Sequence, residues 1–250
     1  MAILKFLNRL RSVFLLSLIC NTFTVNSQTQ QEESLHNWFD NIVGRENLDI
    51  NNGPFYTDTY KTIGTNNMYL ITNKYTRGNI NYEGQNYYNV NIKYNIYKDE
   101  LILNPYGESE HIGIILIQDK VNSFYINDKN FVKINQNESS LAQLTSGYYE
   151  LERLNDNFNF YIKHQKKLAK RINDDGVYYN FPEDNQFFIS FDNVFYSTDS
   201  KNDIIKIFPR QKKGINDFYS THRNLKTSDY GQFMLNLMKY INISQTKITK

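Results

Sequence analysis

Between residues 86 and 98 polar and apolar side chains alternate almost strictly, with Tyr88, Val90, Ile92, Tyr94 and Ile96 on one side and Asn89, Asn91, Lys93 and Asn95 on the other. Period two over that length predicts a strand with one buried face and one wet face. If Lys98 and Asp99 form a two-residue loop, Ile96 falls opposite Leu101 and Tyr94 opposite Leu103, and the apolar face carries into the next strand. Upstream, a two-residue turn at Glu83-Gly84 sets Ile80 against Tyr87 on the wet face, whereas a three-residue loop over 83–85 sets it against Tyr88. The longer loop is therefore expected. The product is a three-stranded antiparallel meander over 78–103 with an aliphatic and tyrosine-rich inner surface. That surface needs a cover.

The same signals recur downstream. Ile112 to Ile117 is a continuous apolar run, predicted as a strand buried on both faces. Hairpins are predicted where Val121 to Ile126 and Phe131 to Ile134 flank Asn127 to Asn130, where Tyr148 to Leu154 and Phe158 to Ile162 flank Asn155-Asp156-Asn157, and where Phe187 to Phe191 and Val194 to Ser197 flank Asp192-Asn193. Helical spacing appears at the two ends. Leu35, Trp38, Phe39, Ile42 and Val43 fall at i, i+3, i+4, i+7 and i+8, an amphipathic helix over 32–43 that is a candidate cover for the sheet. Near the C-terminus, Ser200 caps a short helix ended by Pro209, and Ile215, Phe218 and Tyr219 suggest another. Tyr230, Phe233, Met234, Leu237, Met238 and Ile241 form a third helical stripe behind Ser228 as its cap, followed by a frayed tail from Ile243. The predicted class is mainly β (α+β): an antiparallel meander sheet, curved as a half-barrel or sandwich, with a short N-terminal helix and C-terminal helices packed on it. The expected organisation is a leader over 1–27 and one β-rich domain over 28–250, with a helical cover over 201–242.

Composition changes the picture in two places. The 20 Tyr and 17 Phe favour strands, although heavy use of Asn, Lys, Ile and Tyr is also what an AT-rich genome produces. The first 27 residues carry Lys5, Arg9 and Arg11, then the apolar run Val13 to Ile19, then Val25-Asn26-Ser27, the pattern of a signal peptide. A lipoprotein reading would use Cys20, but Ile19 and Ser17 stand where a small residue and Leu are wanted. Cleavage after Ser27 takes three of the 28 basic residues and none of the 26 acidic ones, leaving 25 against 26 and a formal charge of −1. It also removes Cys20, the only cysteine, so the mature chain offers no disulfide and no thiolate. Export without disulfides or a transmembrane helix predicts the periplasm or outer-membrane surface of a Gram-negative bacterium. Charge is segregated, with 10 basic and 17 acidic residues over 28–160 against 10 and 3 over 201–250. Opposite charges are expected to help dock the helical end on the sheet.

Recognisable chemistry is sparse. His36, His111, His164 and His222 are scattered, and Glu108, Glu110 and His111 read as a solvated loop before they read as a divalent-ion site. No nucleophile elbow, phosphate loop or dinucleotide fingerprint occurs, and Asn173-Asp174-Asp175-Gly176 reads as a turn. No catalytic, cofactor-binding or metal-ligating residue is assigned, and no cofactor is expected. The run Lys163-His-Gln-Lys166-Lys167-Leu-Ala-Lys170-Arg171 would stack its cations as a helix and split them between faces as a strand; a solvated sheet edge is the expectation. Nucleic acid is disfavoured by the leader and the near-neutral mature charge.

The segments Phe39-Asp-Asn-Ile-Val-Gly44-Arg-Glu-Asn47, Asn52-Gly53-Pro-Phe-Tyr56, Gly78-x-x-x-Tyr82-x-Gly84-Gln85-x-Tyr87 and Lys93-Tyr94-Asn95-x-x-x-x-Asp99-Glu-Leu101, with Gly147-Tyr-Tyr-Glu and Leu237-x-x-Tyr240-x-Asn242, resemble an uncharacterised family of exported, β-rich bacterial proteins. The resemblance covers nearly all of the chain beyond the leader and implies export and a mainly antiparallel fold, with no activity to carry over. That family commonly carries Asp where Asn95 stands, so any role of that carboxylate would be missing here. The functional expectation is a non-enzymatic envelope module whose aromatic inner sheet face binds another envelope protein, a glycan or an apolar ligand. Two alternatives are a hydrolase using dispersed carboxylates, drawn from Glu108, Glu110, Asp174, Asp175, Glu183 and Asp184, and a small eight-stranded outer-membrane barrel.

Overall fold

The computed structural model describes residues 31–248 apart from 32, 41, 43, 45–46, 63–65, 106–111, 137–140 and 175. The predicted leader, Glu108, Glu110, His111 and Asp175 thus lie outside the described residues. Short asparagine and aspartate turns set the sheet. Asn127 and Asp128, and likewise Asp192 and Asn193, all sit at positive φ, the left-handed backbone these residues tolerate and two-residue hairpins require. They join β5 (Val121–Ile126) to β6 (Lys129–Ile134) and β11 (Gln186–Phe191) to β12 (Val194–Ser197). With β1 (Thr76–Tyr82), β2 (Gln85–Asn95), β3 (Glu100–Asn104), β4 (Ile114–Ile115), β7 (Gly147–Asn155) and β8 (Phe158–Lys163), they make one ten-stranded antiparallel sheet, ordered β12-β11-β8-β7-β6-β5-β1-β2-β3-β4. The sheet is open, with β12 and β4 as its edges, which corrects the eight-stranded barrel alternative. A separate hairpin, β9 (Ala169–Asn173) with β10 (Gly176–Asn180), was not anticipated.

Two registers and one strand length differ from expectation. At the β1–β2 turn, Tyr82 pairs with Gln85 and Ile80 with Tyr87, the shorter turn. Both Ile80 and Tyr87 are nevertheless buried. The reason is a bulge: beyond it Gly78 pairs with Val90, so Tyr88 and Asn89 together oppose Asn79, and Asn89 takes positive φ. The extra residue swaps the faces, putting Tyr87 inside and Tyr88 outside, and breaks the period two assumed to run from 86. At the next turn Tyr94 pairs with Leu101 and Ile92 with Leu103, so the loop is two residues longer than expected. Asn95 explains it, because its buried side-chain oxygen accepts from the amides of Tyr97 and Lys98 and holds the wider turn. A shift of two keeps the faces. The apolar run at 112–117 forms only the two-residue edge strand β4, with Ile112 and Ile117 exposed.

Among the described residues the core falls into four clusters, and the two largest lie on either side of β7 in the sheet. In the first, Tyr94, Phe124, Phe131 and Tyr148 pack ring against ring with Ile80, Ile92 and Leu101. The predicted inner face is therefore filled by its own side chains. Its cover is the sheet itself, since Asp99 of the β2–β3 turn reaches Lys163 of β8 and the amide of Tyr148 at the start of β7. Bulges in β2 and β7 give the curvature that brings these strands together.

In the second cluster, Phe158, Phe160, Ile162, Phe187 and Ile189 receive the C-terminal helices α2 (Lys201–Ile207), α3 (Lys212–Thr221), α4 (Arg223–Ser228) and α5 (Tyr230–Ile248). Ser200 caps α2 in a reciprocal pair of bonds with Asp203. Asp229, not Ser228, caps α5 through the amide of Gln232, and Ser228 instead ends α4. α5 continues to Ile248 rather than fraying from Ile243. Each of its fully buried stripe residues contributes about 1.5–3 kcal/mol, which makes apolar packing the main fastening of this end.

Residues 33–40 form the N-terminal helix α1, lying on β2 with its polar side inward. Glu33 accepts a 2.6 Å bond from Asn89, and the His36 ring lies 5.7 Å from that of Tyr88. Leu35, Trp38, Phe39 and Ile42 are each more than half exposed. The expected apolar cover is thus reversed, because the sheet face it meets is amide-rich and matches the polar side of the helix.

Candidate ligand-binding face

Outward positions of the sheet carry amides. Asn79 and Asn81 of β1 point away from the core because Ile80 and Tyr82 point into it, and in β5 Asn122, Ser123 and Tyr125 do the same around buried Val121 and Phe124. Their side chains run in a ladder across three strands: Asn122 donates to Asn81 at 2.8 Å, and Asn81 donates to Asn86 of β2 at 2.6 Å. Asn79 accepts from the amide of bulged Asn89. Each asparagine offers donors and an acceptor, so a ladder of them presents paired hydrogen-bonding groups at fixed spacing.

Two clefts share this surface. One, about 600 Å3, crosses the outer face of β2, β1, β5, β6 and β7, lined by Asn79, Asn81, Asn86 and Asn130 together with the rings of Tyr88 and Tyr125. The other, about 480 Å3, lies between α1 and the β1–β2–β3 meander, with Arg77, Asn37, Asn89 and Asn91 facing Tyr87 and Tyr88. Tyr88 lines both. Arg77 is fixed by a 2.5 Å bond to the carbonyl of Asn89, and the Tyr125 hydroxyl by a 2.8 Å bond to Asp128. The clefts therefore combine positioned amides with flat rings that are largely held in place.

The main charged clusters lie elsewhere: none of Lys93, Asp99, Glu150 and Lys163 lines either cleft. Asp99 accepts from Tyr94 at 2.5 Å, Gln118 at 3.1 Å and Lys163 at 2.6 Å. Burial lowers the Lys163 ammonium pKa, with Asp99 opposing the shift, and burial followed by the Asp99 charge holds the Tyr94 hydroxyl well above its ordinary range. Gly147 sits at φ 142° beside this pair, where an added Cβ would strike the Asp99 carboxylate and the Lys163 ammonium. A second buried carboxylate, Glu150, takes Lys129 at 2.8 Å and His164 at 2.5 Å. Burial pushes its pKa up, but the bonds from His164 and Lys129 outweigh that and leave it lowered. Lys93 is enclosed by the rings of Tyr56, Tyr69 and Tyr75, 4.6 to 4.7 Å from its ammonium. These sites tie strands together.

The predicted lysine run is dispersed. Lys163 is buried on Asp99, Lys166 donates to the carbonyls of Asn67 and Tyr69, Lys167 pairs with Asp184, and Lys170 and Arg171 are exposed on β9. Of the dispersed carboxylates, Asp184 is paired with Lys167, Glu183 accepts from Asn185, Asp174 sits at the β9–β10 turn, and none of these lines either cleft. Of the histidines, His36 meets Tyr88, His164 meets Glu150, and His222 stacks on Phe218. Among the described residues there is no group of three or more potential metal ligands from His, Cys, Asp and Glu. The asparagine ladder was missed as a site because amides carry no motif; its signal was the asparagines at outward positions of successive strands. Comparison with family models, with curated proteins and with solved structures gave no match.

Proposed function

We propose that the chain is an exported, non-enzymatic binding module of the bacterial cell envelope, and that it holds a hydroxyl-rich ligand of the glycan class on the outer face of its sheet. The leader pattern over 1–27 and the resemblance to exported β-rich proteins support export. The observation that carries the ligand class is the set of asparagines Asn79, Asn81 and Asn86, with Asn81 and Asn86 hydrogen-bonded to each other, in the same cleft as the rings of Tyr88 and Tyr125. Amides pair with vicinal hydroxyls, and a tyrosine face packs on the apolar face of a sugar ring. The inner aromatic face does not serve this role, since Tyr94, Phe124 and Phe131 are buried against one another.

The test is titration calorimetry of the protein against soluble oligosaccharides of three or more sugars, including chito-, cello- and malto-oligomers. At least one binds, and Tyr88→Ala weakens it by about tenfold or more, equivalent to about 1.4 kcal/mol, without changing the melting temperature. Failure of every oligosaccharide, or affinity untouched by both Tyr88→Ala and Asn81→Ala, removes this assignment.

A further inference from the structure

Where the C-terminal helices meet β11 lies a cleft of about 410 Å3 walled by Phe191, Ile207, Phe208 and Pro209, with Arg210 and Gln245 also lining it. Its other lining residue, Gln211, is more than nine-tenths buried at the end of the short 3-10 turn Pro209–Gln211. The amide nitrogen of Gln211 donates to the carbonyl of Ile241 in α5 at 3.1 Å. That bond fixes which way round the amide sits, because only the nitrogen can donate. Among the described residues, the side-chain oxygen is left as a buried acceptor with no hydrogen-bond partner. A desolvated acceptor is costly to leave unmade, and folded proteins rarely leave one so.

We infer that this cleft is a second binding site, for a small apolar molecule or acyl group that presents one N–H or O–H donor to the Gln211 oxygen. The aromatic and aliphatic walls take the apolar body, and the oxygen supplies the single directional contact that such sites use to orient a ligand. Exposed Arg210 is also in the lining, where it would meet a polar or acidic end. The site shares no lining residue with the asparagine-lined clefts, so it stands or falls apart from them.

The experiment is a 15N NMR titration with hexanamide and with N,N-dimethylhexanamide, which has the same acyl chain and no donor. Hexanamide is expected to shift the Gln211 side-chain amide and the Ile241 backbone resonance, and to bind about tenfold more tightly than the dimethyl compound. Gln211→Met should reduce that discrimination to near unity, while Ile207→Trp, at a half-buried wall, should fill the cleft and abolish both titrations. If Gln211→Met does not fold, the wild-type ratio and Ile207→Trp decide. Equal affinities in the wild-type protein mean that water serves the oxygen, and absence of binding or shifts centred elsewhere means that the cleft takes no such ligand; each overturns the inference.

Discussion

Asp99 and Lys163 show how one pair of side chains fixes a fold. The Lys163 side chain is 3% exposed and that of Asp99 20%, so removing one partner does not cost the same as removing the other. Asp99→Asn leaves a buried ammonium without its counter-charge, and urea unfolding should show a loss of about 3–5 kcal/mol. Lys163→Met leaves Asp99 with Tyr94, Gln118 and the amide of Tyr148, and its loss should be clearly smaller. Gly147→Ala should also destabilise, since neither its φ nor the space beside it admits a Cβ. Glu150 governs acid stability. Its folded pKa lies below the ordinary 4.5, so through that range the unfolded chain binds more protons. The contribution is fully present above 4.5 and is lost as pH falls through the folded value. Glu150→Gln should therefore be less stable at neutral pH, yet lose stability less steeply than the wild type between about pH 5 and about pH 3 in chemical denaturation.

At the scale of elements, the helices divide by where their apolar stripes go. From Phe233 to Ile241 the stripe of α5 is fully buried, and the helix packs on β7 and β8; Leu237→Ala should cost about 2–5 kcal/mol, seen as a lower denaturant midpoint. The stripe of α1 faces outward and carries Trp38, the chain's only tryptophan. Its fluorescence is expected to be red-shifted and open to acrylamide in the native protein; a blue-shifted, protected emission would mean that α1 packs the other way. Both stripes have the same spacing in the sequence. Spacing tells which residues share a face, but not whether the neighbouring surface is apolar. The strand signals were more complete, since Asn127-Asp128, Asp156-Asn157 and Asp192-Asn193 each close a two-residue turn between flanking runs of strand-forming side chains. The misread turn at residues 83–85 came from a bulge, and a bulge depends on which strand lies on the other side.

Over the whole molecule, two cores share one sheet: a half closed by its own curvature, and a half closed by the C-terminal helices. Deleting 201–248 should expose Phe158, Phe160, Ile162, Phe187 and Ile189 together, giving strong ANS binding and aggregation that point variants of the outer face do not show. Among the described residues no helix is long and apolar enough to cross a membrane. The sequence by itself determined the antiparallel class, the three hairpins over 121–134, 148–162 and 187–197, the α5 stripe and the shortage of recognisable catalytic motifs, because each is written in neighbours a few residues apart. Only tertiary structure decided the rest. That Asp99 would meet Lys163, that Gln211 would be buried on Ile241, and that asparagines of β1, β2 and β5 would form one ladder all depend on the order and curvature of strands, which curvature and long-range pairing fix and local pattern does not.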